Sequence, residues 1–230
     1  MKRKTLLLAI LLIVGAWGQL YAQKDVTSQY ITNATLSNGL TGWTNNNFNT
    51  PQRGNNTVGY ASECYAGWGS LEKTAYSLKQ TITLPEGNYT LVNYSFFRYG
   101  LEYNTDPATS QCVLYAGDNS VPIKTLGSIT CASYANSQSE GADVFDSKMY
   151  RNTVDFQIPA GGASIEIGLD GTFNLKQSWI IAGMFELINN DELATMDSPF
   201  DVTGYITNPG FEYRDMTGWT VSPEIGRAHV

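Results

Sequence analysis

Histidine is almost missing from this chain of 230 residues: His229 is the only one, and cysteine is limited to Cys64, Cys112 and Cys131. The first shortage removes the usual base of a serine or cysteine nucleophile. The two together speak against a zinc site, since no CxxC or His spacing accompanies the thiols. Charge is scarce as well. Only 15% of the residues are charged, and 14 Lys and Arg against 21 Asp and Glu leave a formal net charge of -7. An acidic chain with no basic patch excludes nucleic acid and anionic membrane as partners. Helical periodicity is nearly absent, and no second run long enough to span a membrane follows the apolar one at the N-terminus. Disorder is excluded in turn, because 42% of the residues are hydrophobic and the apolar positions alternate regularly.

What is present begins with an export signal. Met1-Lys-Arg-Lys is followed by an apolar run from Leu6 to about Trp17 and then by Leu20-Tyr21-Ala22, the layout of a secretory signal peptide over residues 1–22, with cleavage expected after Ala22. The run is shorter than the roughly 20 residues of a membrane span, and no cysteine follows it to carry a lipid. The mature protein is therefore expected outside the cytoplasm: in a periplasm, at a cell surface or in the medium. In an oxidising compartment three cysteines suggest one disulfide with one thiol left over. Cys112 and Cys131 flank two short strand-like runs and are the favoured pair, with Cys64 as a partner and three free thiols as the open alternatives.

The stretch DVTSQYITNATLSNGLTGWT, from Asp25 to Thr44, returns as DVTGYITNPGFEYRDMTGWT, from Asp201 to Thr220. A period of that length is a whole domain rather than a solenoid unit. The expected organisation is one module over 24–189, a linker over 190–200 and the truncated start of a similar module over 201–223. The final residues, EIGRAHV from Glu224 to Val230, resemble the translation of a sequencing-adapter oligonucleotide. They are expected to be a non-native tail, which would include His229.

Strand-like runs with turn signals between them predict an all-β antiparallel sandwich of about nine strands. Val26 to Asn33 and Thr57 to Tyr65 open the series. Tyr76 to Leu84, Pro85-Glu86-Gly87-Asn88 and Tyr89 to Tyr99 read as a hairpin, whose second strand is apolar on both faces and therefore central. Gln111 to Ala116 pairs with Pro122 to Ile129 across Gly117-Asp118-Asn119. Val154 to Ile158, Ile165 to Leu169 and Trp179 to Leu187 complete the set, and Asn189 to Phe200 reads as a polar connector. The segment from Ser133 to Ser147 lacks apolar periodicity and is expected to be a long loop, mobile or functional.

The opening DVT…N…GW, then KQTITLPEGNYTL, FFRYG, CVLYAGD and SWIIAGMFEL, taken in that order, resemble the galactose-binding-like jelly-roll modules of secreted Bacteroidetes proteins, which are similar to carbohydrate-binding modules. The resemblance implies a jelly-roll sandwich appended to proteins that capture or degrade glycans, often in tandem, and a poly- or oligosaccharide as partner for a monomeric module within a longer chain. Relatives hold a structural calcium near the first strand, where hard oxygen ligands gather. Here Ala34-Thr35-Leu36-Ser37 stands where the second copy has Pro209-Gly210-Phe211-Glu212, so the first module lacks a carboxylate and no cofactor is expected, with a structural calcium as the open alternative. Ala182-Gly183-Met184-Phe185 also departs from the Asp-Asn pair that related modules carry before the Phe.

Trp43 and Trp179 lie within the motifs that open and close the fold and are assigned to the core. Aromatics in Gly- or Asn-rich loops are better platforms for the apolar face of a sugar ring. Tyr65 and Trp68 in CYAGWG, and Tyr99 and Tyr103 in RYGLEYN, are the candidates, with Arg98 and Asn104 supplying hydrogen bonds to hydroxyls. A salt bridge to Glu102 is the plain structural alternative for Arg98. No catalytic residue is assigned. Asp143 with Asp146, or Glu63 with Glu72, could form an acid pair only if folding brought them to a working separation, and solvated loop charges are the simpler reading. Asn33, Asn55, Asn88 and Asn93 stand in Asn-x-Ser/Thr sequences and read as ordinary turn and strand residues. A glycan-binding module is the leading expectation, with a structural or adhesive spacer, or part of a glycoside hydrolase, as the alternatives.

Overall fold

A computed structural model describes residues 23–130 and 134–193; the expectations for the signal peptide, Cys131, the second copy and the tail lie outside them. The fold is an antiparallel sandwich of two sheets. The first has the order β3(Gln52–Arg53), β4(Tyr60–Tyr65), β11(Trp179–Leu193), β6(Gly87–Arg98), β9(Arg151–Ile158), with β1(Gln23–Asp25) also on β11. The second has the order β2(Thr44–Asn46), β5(Ala75–Leu84), β10(Ala163–Thr172), β7(Cys112–Ala116), β8(Asn119–Pro122). Eleven strands stand among the described residues, against the nine expected.

Alternation decides which face each strand buries. In β5, Tyr76, Leu78, Ile82 and Leu84 point inward while Thr81 and Thr83 are exposed, the period of two expected of a sheet wet on one side. With Leu114, Ile167 and Leu169 from the same sheet, and Tyr89, Leu91, Phe97 and Ile180 from the other, they form the inter-sheet core. β6 is buried on both faces, as its sequence predicted. Val92, Tyr94 and Phe96 enter a second apolar cluster on the outer side of the first sheet, with Trp179, Ile181, Ala142, Phe145 and Tyr150.

That outer cluster exists because residues 133–147 are not simply a loop. They contain α2(Gln138–Asp146), whose N-cap Ser137 accepts from the Glu140 amide while the Glu140 carboxylate accepts from the Asn136 N–H at 2.6 Å. This is a variant of the capping box, with the carboxylate reaching the residue before the N-cap. Gln138, Gly141, Ala142 and Phe145 form its buried stripe. The helix lies low on β11 because both contact positions are glycine: a Cβ on Gly141 would stand 2.8 Å from Ile181, and one on Gly183 would stand 2.5 Å from the Phe145 ring.

Four further expectations change. The run from Val26 to Asn33 is not a strand: after β1 comes α1(Thr27–Tyr30), started by the Asp25 carboxylate accepting from the Thr27 N–H at 2.8 Å, with buried Val26 and Ile31 anchoring either end. β5 and β6 are not a hairpin. They lie in different sheets, β5 pairing with β10 and β6 with β11 and β9, so Pro85-Glu86 is an arch over the core. The partner of β7 starts directly after Gly117-Asp118, with Ala116 opposite Asn119, and ends at Pro122; residues 123–129 then turn back toward β6, where Thr125 bridges Phe97. Asn189 is not the start of a connector, since β11 runs on to Leu193 and Lys24 of β1 pairs with Asn189.

The favoured Cys112–Cys131 pairing has only Cys112 among the described residues. Cys112 is a free thiol, buried in the inter-sheet core, and Cys64 is likewise buried and free. Cys112 sits on the inward face of β7, so its sulfur faces the packed interior. Burial raises both thiols, Cys64 from an ordinary 9.0 to about 11. An unfolded chain would ionise Cys64 near pH 9, whereas the folded chain keeps the proton to about pH 11, so this contribution to stability is complete below pH 9 and is lost as pH rises to 11. Urea midpoints should therefore fall between pH 8.5 and pH 10.5, and Cys64→Ala should make the fall shallower.

Candidate functional site

The strand register builds a row across the first sheet on its outer face. Trp179 of β11 is opposite Tyr65 of β4 on one side and Arg98 of β6 on the other. One pleat further, Ile181 is opposite Glu63 and Phe96. Directly paired residues share a face, so Glu63, Tyr65, Trp179 and Arg98 converge although 116 positions separate Glu63 from Trp179. With Asn49, Trp68, Glu72, Lys73 and Asn136 they line an open cleft of about 620 Å³, within the range that suits small-molecule ligands.

Each group is held. The Trp179 indole N–H donates to the Glu63 carboxylate at 2.8 Å, and the other Glu63 oxygen accepts from the Asn49 amide at 3.4 Å. Arg98 lies over the Trp179 ring at 4.8 Å, a cation–π contact, and donates from Nε to the Gly100 carbonyl at 2.9 Å and from Nη2 to the Gln177 carbonyl at 3.2 Å. No salt bridge to Glu102 forms, and desolvation by burial lowers its pKa. The guanidinium is thus positioned by carbonyls and a ring, with no carboxylate in ion-pair contact among the described residues. Tyr65 carries a hydroxyl oxygen that is buried without a hydrogen-bond partner. Desolvation by burial raises its pKa, against the lowering field of Arg98. An orphaned hydroxyl of this kind has an unmet donor and acceptor capacity.

Trp68 is different in kind: it is 67% exposed. Its loop is tied down on all sides, with the Ala66 carbonyl accepting from Glu72 and Lys73, the Gly67 carbonyl from the Gln177 N–H and the Trp68 carbonyl from the Gln177 side chain at 3.0 Å. Gly67 takes φ +117, and a Cβ there would collide with the Ser70 carbonyl, so only glycine makes this turn. A rigid loop therefore carries an unburied indole at the mouth of the cleft.

The six residues singled out from the sequence separate here. Tyr65, Trp68 and Arg98 come together. Tyr103 is 46% exposed and stacks on Tyr134 at 4.9 Å, with its hydroxyl donating to the Asn136 side chain at 2.7 Å, which places it beside the cleft wall. Tyr99 instead packs against the inter-sheet core. Asn104 uses its carbonyl to accept from Gly127 and Thr125, and its side-chain amide is buried without a partner. Sequence reasoning missed Asn49, Asn136 and Lys73, and assigned Trp179 to the core. That ring is indeed buried, at 4% exposure, but it also lines the cleft. Glu63 and Glu72, set aside as solvated charges, both line it too.

The carbonyls of the 33–41 loop turn toward one side chain. The Asn33 side-chain amide donates to the carbonyls of Asn38 at 3.4 Å, Gly39 at 3.0 Å and Thr41 at 3.2 Å, so an N–H group occupies the place where those oxygens meet. Ser37 is exposed and bonds only the Thr35 hydroxyl. Among the described residues no three His, Cys, Asp or Glu gather as a metal site.

No family model and no curated protein matches the sequence. Solved structures do resemble the fold. TmCBM61, in complex with β-1,4-galactotriose, is 15% identical over 70% of this chain and 97% of its own, with a TM-score of 0.43. A family 16 carbohydrate-binding module, its second, is 15% identical over 69% and 99%, at 0.42. The Stig cyclase Fisc from Fischerella sp. TAU is 15% identical over 73% and 98%, at 0.43.

Proposed function

We propose that residues 24–189 are a non-catalytic carbohydrate-binding module of an exported, multi-domain protein that captures or degrades glycans. The observation that carries this reading is the cleft at the end of the first sheet, where the exposed Trp68 indole stands next to Arg98, Glu63 and the unpartnered Tyr65 hydroxyl. A sugar ring offers the same pairing in reverse: C–H groups on one face for an indole, and hydroxyls around the rim for a guanidinium, a carboxylate and a phenol. Such binding is shallow, since each hydroxyl exchanges a water hydrogen bond for a protein one with little net gain. Retention of the purified protein on a panel of plant, host and microbial polysaccharides tests the reading. A folded sample retained by none of them would overturn it.

A spacer or adhesive module would have no reason to hold an exposed aromatic in a rigid loop above a charged cleft. A hydrolase gains one observation, the presence of Glu63 and Glu72 in the same cleft. Both Glu63 oxygens are engaged by Trp179 and Asn49, which suits a fixed hydrogen-bond acceptor. Turnover of a retained glycan that vanishes in Glu63→Gln would establish the hydrolase instead.

Because the Asn33 amide takes the carbonyls of its loop, the module is proposed to fold without calcium. Chelation with EDTA, followed by readdition of calcium, should leave its melting temperature unchanged. A fall on chelation that calcium reverses would show a bound ion.

A further inference from the structure

We infer that the cleft is one half of a groove that binds an internal stretch of a glycan chain rather than a chain end or a single sugar; this rests on the carbohydrate reading above. A second open cleft, of about 610 Å³, lies beside the first along α2 and includes Asn56, Tyr134 and Asp143 among its lining residues. The two share one wall, Asn136. That residue is fixed from three directions: its N–H donates to Glu140 at 2.6 Å, its side-chain oxygen accepts from Tyr103 at 2.7 Å, and its side-chain amide donates to the Tyr134 carbonyl at 3.4 Å. Tyr103 and Tyr134 stack at 4.9 Å beside it. Asn136 is therefore a fixed polar saddle flanked by an aromatic pair, with an open cleft on either side.

Each cleft alone falls in the range of roughly 300–1,000 Å³ that accommodates a small ligand. Two of them, adjoining at a polar saddle, exceed the needs of one sugar and fit a chain whose successive units alternate between aromatic contact and hydroxyl recognition. The far cleft supplies what such a chain needs. Asp143 already accepts from the Asn55 and Asn56 backbone at 3.2 and 2.9 Å, which fixes that wall, while no hydrogen bond among the described residues engages the Asn56 side chain. Tyr134, partly buried against the outer cluster, lines the far cleft from the saddle side. A site for chain ends would confine the ligand to the first cleft; here two open clefts adjoin at Asn136.

The test is a length series. Oligosaccharides of two to six units, prepared from whichever polysaccharide retains the protein, are titrated calorimetrically into the purified protein and into its Asn56→Ala and Tyr134→Ala variants. Affinity should rise by about tenfold or more, roughly 1.4 kcal/mol, between two and six units, and each variant should remove most of that gain. Asn56→Ala guards against misfolding, because its side chain is exposed and makes no hydrogen bond among the described residues. Equal affinity for short and long oligosaccharides, or a gain untouched in both variants, would overturn the groove while leaving the carbohydrate reading intact. The absence of any retaining polysaccharide would overturn both.

Discussion

Trp43→Ala is expected to lower the stability of the module by about 3–5 kcal/mol, the cost of truncating a large aromatic in a packed core. Trp43 is 7% exposed and stacks on Phe185 with ring centroids 4.4 Å apart and planes 29° from parallel. Its indole N–H donates to the Asn33 carbonyl at 3.3 Å and its backbone N–H to Leu40 at 3.0 Å, so the same residue packs the core and closes the 33–43 loop. Truncation leaves a cavity against Phe185 and strips a partner from Asn33, two losses with separate origins. The loop then rests on its own Asn33 contacts and on Gln80, whose side chain accepts from the Thr32 N–H at 2.8 Å and donates to the Thr32 and Gly42 carbonyls. Urea denaturation with an unchanged m-value and a lowered midpoint is the expected signature. A loss under 1 kcal/mol would show that Trp43 is not the core anchor of the opening motif.

The contrast between that tryptophan and the cleft shows what the sequence could express. A strand with one wet face writes its burial into alternate residues, and β5 was readable for that reason. Which sheet the next strand joins is set by long-range pairing, and Pro85-Glu86-Gly87 serves an arch as well as a hairpin. α2 escaped notice because its buried stripe is Gln138, Gly141, Ala142 and Phe145. The spacing is helical, but only one of the four is a large apolar side chain, so periodicity had little to register; the Ser137-x-x-Glu140 cap was the available signal. The site divides along the same line. Trp68 could be found from composition, as an indole in a Gly-rich segment too short to bury it. The union of Glu63, Tyr65, Trp179 and Arg98 depends on the register of β11 between β4 and β6, which no local pattern encodes.

Trp68→Ala should separate function from stability where Trp43→Ala cannot. The indole is 67% exposed, and only its backbone carbonyl takes part in the loop, accepting from Gln177. Alanine keeps that carbonyl, so the change in stability should stay within about 0.5 kcal/mol, as for surface substitutions away from packed or strained features. Binding should suffer far more. An aromatic anchor at the centre of a contact surface is worth about 2 kcal/mol or more on truncation, which is roughly thirtyfold in Kd, enough to abolish retention of a weakly held polysaccharide. Gly67→Ala provides the opposite control. The added Cβ meets the Ser70 carbonyl and the Glu72 side chain at a φ of +117, so the loop itself must deform and binding should fall with the indole still present. Loss in both variants, with stability preserved only in Trp68→Ala, means that a rigidly presented indole holds the ligand. Undiminished binding in Trp68→Ala would move the platform to the Tyr103–Tyr134 pair, the other ring system beside the Asn136 saddle.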